Sequence, residues 1–175
     1  MNLNYYSDEH VVIRSMVKED VQRFYDAFSL QGYHKPTEIF EHYLLQQRKQ
    51  QCLVFVAEVD RQLAGYVTLW PKAKQGPFAS LQLPEVVDLN VLEKFRKQGI
   101  GQKLMDEVEK QAKRFSSTIT LGVGLHLGYG NAQKMYIQRG YQFDGTGVWY
   151  QGKQLEPYEV CRNDDDLLLY LIKHL

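Results

Sequence analysis

The run Val86–Phe115, VVDLNVLEKFRKQGIGQKLMDEVEKQAKRF, changes its apolar period from that of a strand to that of a helix across two closely spaced glycines. A strand feeding a helix through so short a turn is a unit of mixed α/β architecture, and the rest of the chain has to accommodate it. From Gly99 onward, Ile100, Leu104, Val108, Ala112 and Phe115 share one helical face, while Asp106 with Lys110 and Glu109 with Lys113 stand at i,i+4 spacing on the other.

The flanking segments alternate in the same way. Val11–Met16 reads as a first strand, and Lys18–Leu30 as a helix with Val21, Phe24, Tyr25 and Phe28 inward. A second helix follows Pro36, burying Ile39, Phe40, Tyr43 and Leu44. Cys52–Glu58 is apolar at successive positions, as in a strand covered on both faces, and turns at Asp60, Arg61 and Gln62 into Leu63–Trp70. Further strands are expected at Glu85–Leu92, Thr118–Leu125, Tyr141–Phe143, Val148–Tyr150 and Asp166–Ile172, with a short helix at Asn131–Arg139. Pro71–Pro84 holds three of the five prolines and reads as an irregular, mobile loop on the substrate side. The expected fold is α/β (α+β): one domain over 1–175, with a mixed, mostly antiparallel sheet of six to seven strands flanked by helices.

Composition excludes several function classes. With 21 basic and 21 acidic residues the formal charge is zero, which leaves no electrostatic footprint for nucleic acid or for an anionic membrane surface. No apolar run approaches the roughly 20 residues that a membrane-spanning helix needs. The opening MNLNYYSDEH lacks a secretory pattern, so a cytoplasmic location is expected. Cys52 and Cys161 stand in unrelated contexts, and the five histidines show neither metal spacing nor a Ser/Asp partner, so neither a metal site nor a hydrolase triad is expected.

The start of the Gly99 helix is unusual. Helix N-termini favour a Ser, Thr, Asp or Asn cap and carboxylates in the first turn, but this one is preceded by Arg96, Lys97 and Gln98 and has no acid before Asp106. Basic charge there costs about 0.3–1 kcal/mol per residue. A bound anion relieves the conflict, because the open N–H groups, the helix dipole and the cations all attract it. The Walker A loop is excluded because no Gly-Lys-Ser/Thr ends the motif. The dinucleotide fingerprint fails because Leu104 stands where its third glycine belongs, and Gly122-Val123-Gly124 fails likewise at Leu127.

Arg96-Lys97-Gln98-Gly99-Ile100-Gly101 resembles the R/Q-x-x-G-x-G/A motif of the GNAT superfamily of acyl-CoA-dependent N-acetyltransferases, and Asp88-Leu89-Asn90-Val91 resembles the strand that leads into it. Asn131-Ala132, Tyr136 and Gly140-Tyr141 are similar to that family's N-A-x-x-x-Y-x-x-x-G-F/Y helix. The resemblance covers about Glu85 to Phe143. It implies that backbone amides of Lys97, Gln98, Gly99, Ile100, Gly101 and Gln102 hold the diphosphate of acetyl-CoA beside Arg96, and that Leu89, Asn90 and Val91 pair with the pantetheine arm as if it were an added strand. It further implies that Asn131 touches the pantetheine end and that Tyr136 protonates the departing thiolate.

On purely structural grounds Asn131 also suits an N-cap, Gly140 a left-handed helix end, and Tyr136 the core. A charged amine acceptor must lose a proton before attack, and Glu85 and Asp88 are the carboxylates on the strand beside the expected thioester. Their spacing of three puts them on opposite faces of a regular strand unless a bulge intervenes. Tyr33 and His34, between the first two helices, read as an exposed loop or, where the fold would place acceptor contacts, as part of the acceptor site. Trp149, Tyr150 and Tyr158 read either as a far wall of the acceptor cleft or as core and homodimer surface. The expected function is acetyl transfer to a primary amine, the alternatives being a silent acyl-CoA-binding module or a transferase for a longer acyl chain.

Overall fold

The computed structural model describes residues 3–175, which fall into two compact units. The first comprises the described part of Met1–Trp70 together with Val87–Gln111; the second comprises Pro71–Val86 and Ala112–Leu175.

In the first unit, β1 (Asn4–Ser7) and β2 (Val11–Ser15) are antiparallel, and β2 pairs with β3 (Leu53–Val59), which pairs with β4 (Gln62–Trp70). The β3–β4 hairpin turns on Asp60 and Arg61, both at positive φ, as a two-residue turn matched to strand twist requires. Between β2 and β3 the chain forms α1 (Lys18–Leu30) and α2 (Thr37–Arg48). As their spacing predicts, Phe24, Phe28, Phe40, Tyr43 and Leu44 are buried, and Phe24, Phe28 and Phe40 stack around the Tyr66 ring of β4. Strand β5 (Glu85–Val91) continues through a 3-10 turn at Glu93–Phe95 to α3 (Ile100–Ala112). Ile100, Leu104, Val108 and Ala112 are buried, whereas Phe115 lies beyond the helix and is half exposed.

In the second unit, Glu85 and Val86 of β5 pair in parallel with β6 (Thr118–Gly124). β6 pairs with β9 (Leu167–His174), β9 with β7 (Gln142–Tyr150), and β7 with the short β8 (Lys153–Gln154), all antiparallel. Helix α4 (Gly130–Gln138) follows a 3-10 turn at Leu127–Tyr129.

The fold is α/β with a mixed, mostly antiparallel sheet, but among the described residues it has nine strands rather than six to seven. The additions are β1 and β8, too short and polar to show a period. Tyr141–Phe143 and Val148–Tyr150 belong to one strand, β7, whose register slips between Phe143 and Val148, where Gly145 and Gly147 take positive φ. The segment between β4 and β5 is irregular, as its prolines predict. Ala73 and Phe78 are buried in a cluster with Tyr170, and the Ala73 N–H donates to the Leu83 carbonyl, so Pro71–Pro84 is a packed irregular segment.

Candidate active site

In the first unit, β5 reaches α3 through residues whose backbone leaves the ordinary regions. Lys97 and Gly99 have φ of 60° and 79°, and the first turn of α3 carries no acidic residue. Successive amides in such a loop form a concave donor surface that favours anions. Gly99 has open space where a side chain would project, so the turn is accessible from outside. At this end the Lys103 N–H donates to Gly99 O at 3.0 Å. Lys97, Gln98 and Gln102 are exposed, Gly101 half-buried, and Ile100 buried. Arg96 is partly engaged: its Nε donates to Val91 O at 3.1 Å, and Nη1 lies 3.7 Å from Glu93. The donor set and the space fit a diphosphate.

Asp88 sits within β5 at φ 57°, a left-handed residue of the kind found at bulges, so the simple alternation between Glu85 and Asp88 does not apply. Its carboxylate accepts from Lys35 Nζ at 2.7 and 2.8 Å, Tyr66 Oη at 2.5 Å, Tyr43 Oη at 3.1 Å and Asn90 Nδ2 at 2.6 Å. Burial, the charge of Asp88 and these hydrogen bonds raise the pKa of both tyrosines. Sequence reading missed Lys35, Tyr43 and Tyr66 as neighbours of Asp88, since 53, 45 and 22 positions separate them from it. A lysine placed between two apolar helices was the one available signal. Leu89 and Val91 are half-buried, and the Asn90 carbonyl lies so close to Gly65 of β4 that a side-chain carbon there would collide with it.

In the second unit, register places Glu85, Thr120, Ile172 and Tyr170 on one sheet face. Glu85 is 6% exposed, and among the described residues no hydrogen bond or ion pair reaches its carboxylate. Burial pushes its pKa up to about 7. Tyr170 lies in the same cluster, its hydroxyl against the Gly76 backbone, and burial, then the charges of Glu85 and Asp144, push its pKa up to about 12.

Tyr136 projects from α4 and is buried, with its ring edge-on to Tyr141 at 5.8 Å. Its hydroxyl has no hydrogen-bond partner among the described residues, and burial raises its pKa. Asn131 is exposed and does not cap α4. The 3-10 turn starts the helix one residue early, so the cap position falls to Tyr129 and carries no side-chain cap bond. Gly140 does take the left-handed conformation, at φ 89°.

The outer aromatics divide. Trp149 packs on Tyr170 at 5.7 Å, and Tyr150 Oη donates to Asp164 at 3.2 Å, but Tyr158 is fully exposed and packs no wall. His34 is exposed, edge-on to Tyr25. Among the described residues, no cluster of three or more His, Cys, Asp or Glu is placed to hold a metal, and no helix is long and apolar enough to cross a membrane.

No curated protein matches the chain by sequence. Solved structures match its fold across nearly the whole length. One is described as the acetyl transferase that modifies the N-terminal serine of the 50S ribosomal subunit protein L7/L12 in Salmonella typhimurium (9% identity, 99% of each chain covered, TM-score 0.71). A second is a ribosomal-protein-alanine N-acetyltransferase from Brucella melitensis (20% identity, 93% of this chain and 99% of that one, TM-score 0.66). A third is a GNAT family acetyltransferase from Elizabethkingia anophelis with acetyl-CoA bound (19% identity, 96% and 100%, TM-score 0.60). At such identities the likeness concerns the fold alone. A model of the acetyltransferase (GNAT) family, however, matches residues 14–141, a span that takes in both β5 with its anion-favouring turn and the Tyr136 helix. The chain belongs to the GNAT acetyltransferase family.

Proposed function

We propose that this protein, acting as one N-acetyltransferase domain over 1–175, moves an acetyl group from acetyl-CoA to a primary amine by direct attack. The observation that carries this reading is the first turn of α3, which has no acidic residue and is entered through Lys97, exposed, and Gly99, both at positive φ. Backbone amides from Lys97 to Gln102 hold the diphosphate, and the backbone of Leu89–Val91 receives the pantetheine arm. Asn131 is exposed in the first turn of α4, which supports its role, implied by the resemblance, as a contact of the pantetheine end.

Glu85 is the base. Its carboxylate is unpaired and about half ionised at neutral pH, whereas every lone pair of Asp88 is already engaged. Taking the first proton from an alkylammonium of pKa near 10.4 is uphill by ~5 kcal/mol at 1.36 per unit, and it must leave before attack because the protonated nitrogen has no lone pair. The neutral amine attacks the thioester carbonyl carbon, its nitrogen becomes acidic as the N–C bond forms, and as the C–S bond breaks the proton that this nitrogen gives up ends on the sulfur. Tyr136 stays protonated over the working pH range because burial raises its pKa. A thiol near 8.5 is the stronger acid, so the phenol stabilises the departing sulfur chiefly as a hydrogen-bond donor.

Titration calorimetry with coenzyme A, followed by thiol release from acetyl-CoA with pooled amines, tests the assignment. Binding plus turnover that falls in Tyr136→Phe supports it; binding without turnover on any pool identifies a silent module, and absence of binding overturns the reading. Longer acyl donors in the same assay measure chain preference.

A further inference from the structure

We infer that Lys35 and Asp88 form a positioning clamp: Lys35, in the segment joining α1 to α2, holds the Asp88 carboxylate, and Asp88 in turn fixes the backbone of β5 at Leu89–Val91. What binds at that backbone rests on the proposed function; the clamp itself does not. Lys35 is 6% exposed, unusual for a lysine, and it is paired twice over. Its Nζ contacts both oxygens of Asp88 and lies 5.2 Å from the centre of the Tyr66 ring and 5.6 Å from that of Phe28.

A carboxylate offers about four lone-pair sites. Here Lys35, Tyr43, Tyr66 and Asn90 occupy them from α2, β4, β5 and the α1–α2 segment. No lone pair is left for a substrate proton, which removes Asp88 from the role of base and leaves it a structural one.

That role follows from its backbone. A left-handed aspartate inside a strand is a sparsely populated conformation that persists only where surrounding contacts over-determine it, and these side-chain contacts do so. The turn at Asp88 sets the direction of the next amides and carbonyls. Beyond it the Asn90 carbonyl packs against Gly65, and the Leu92 N–H donates to Ala64 O of β4 at 2.8 Å. Releasing the carboxylate therefore frees Leu89–Val91 to rotate while β3 and β4 keep their own ladder.

Amide hydrogen exchange on the unliganded protein, coenzyme A calorimetry and the pH profile of kcat/KM test the clamp in Lys35→Met and Asp88→Asn. Both variants are expected to speed exchange at Leu89–Val91 at least tenfold without changing β2–β3. Both are expected to weaken coenzyme A and raise the acetyl-CoA KM about tenfold, while the acidic limb of the profile stays in place. Tyr43→Phe, which removes one bond and no charge, gives a smaller acceleration at the same amides and serves should either charge variant not fold. Unchanged exchange at Leu89–Val91 in the variants overturns the clamp, as does loss of the acidic limb in Asp88→Asn with its retention in Glu85→Gln. If the native protein binds no coenzyme A, the proposed function fails while the exchange data still decide the clamp.

Discussion

Glu85 and Asp88 differ by three positions and by everything that matters to a carboxylate. Asp88 accepts from Lys35, Tyr43, Tyr66 and Asn90, whereas Glu85 is buried and, among the described residues, no hydrogen bond or ion pair reaches its carboxylate. Burial with no partner raises an acid's pKa, so kcat/KM for the acceptor should show an acidic limb near pH 7. Glu85→Gln should lower turnover by roughly 100-fold or more and flatten that limb, leaving coenzyme A affinity unchanged by calorimetry. Tyr136→Phe removes a hydroxyl that no described residue engages, so its melting temperature should match that of the native protein while kcat falls roughly 100-fold. A drop in stability of similar weight would instead mark Tyr136 as a packing residue.

At the scale of elements, α3 and α1 solve opposite problems at their N-termini. Helix α1 has Glu19 and Asp20 in its first turn, and Asp20 accepts from the Val17 N–H at 2.9 Å. The same fully buried Asp20 meets Arg14 at 2.6 and 2.8 Å and Arg23 at 3.2 Å, and both arginines reach Glu58, tying α1 to β2 and β3. Asp20→Ala leaves Arg14 buried beside Glu58 alone and should cost about 3–5 kcal/mol in denaturant unfolding. Helix α3 has no such carboxylate, and its entry depends on Gly99 at φ 79° with open space around it. Gly99→Ala should therefore cost only the backbone strain, about 1–2 kcal/mol, but weaken coenzyme A disproportionately, because the donors shift with the turn. Equal losses in stability and affinity would contradict that view.

Across the whole molecule, these groups give stability a pH dependence of worked-out sign. Glu85 has a folded pKa above its ordinary value of 4.5, so its contribution is fully present below pH 4.5 and is lost as pH rises through about 7. At ~1.4 kcal/mol per unit the loss amounts to ~3 kcal/mol, and Glu85→Gln should abolish it, being the more stable protein at pH 8. Glu58 moves the other way. Burial alone would raise its pKa, but the bonds from Arg14 and Arg23 outweigh this and lower it, so its contribution holds above 4.5 and is lost as pH falls. Chemical unfolding from about pH 2.5 to 8 on both proteins separates the two effects.

Local periodicity placed α1 to the residue, set β3 beside β4 and located the start of α3, because burial of one face leaves a period in the sequence whatever lies opposite. It also exposed the missing acid before Asp106, since the electrostatics of a helix end depend on adjacent residues. It could not show β1 or β8, whose few residues lack a period, nor the packing of Pro71–Pro84 around Tyr170, which depends on a strand that follows some ninety positions later. Nor could it show the partners of Asp88. Those are set by packing in space, and Lys35, Tyr43 and Tyr66 reach its carboxylate only once the chain has folded.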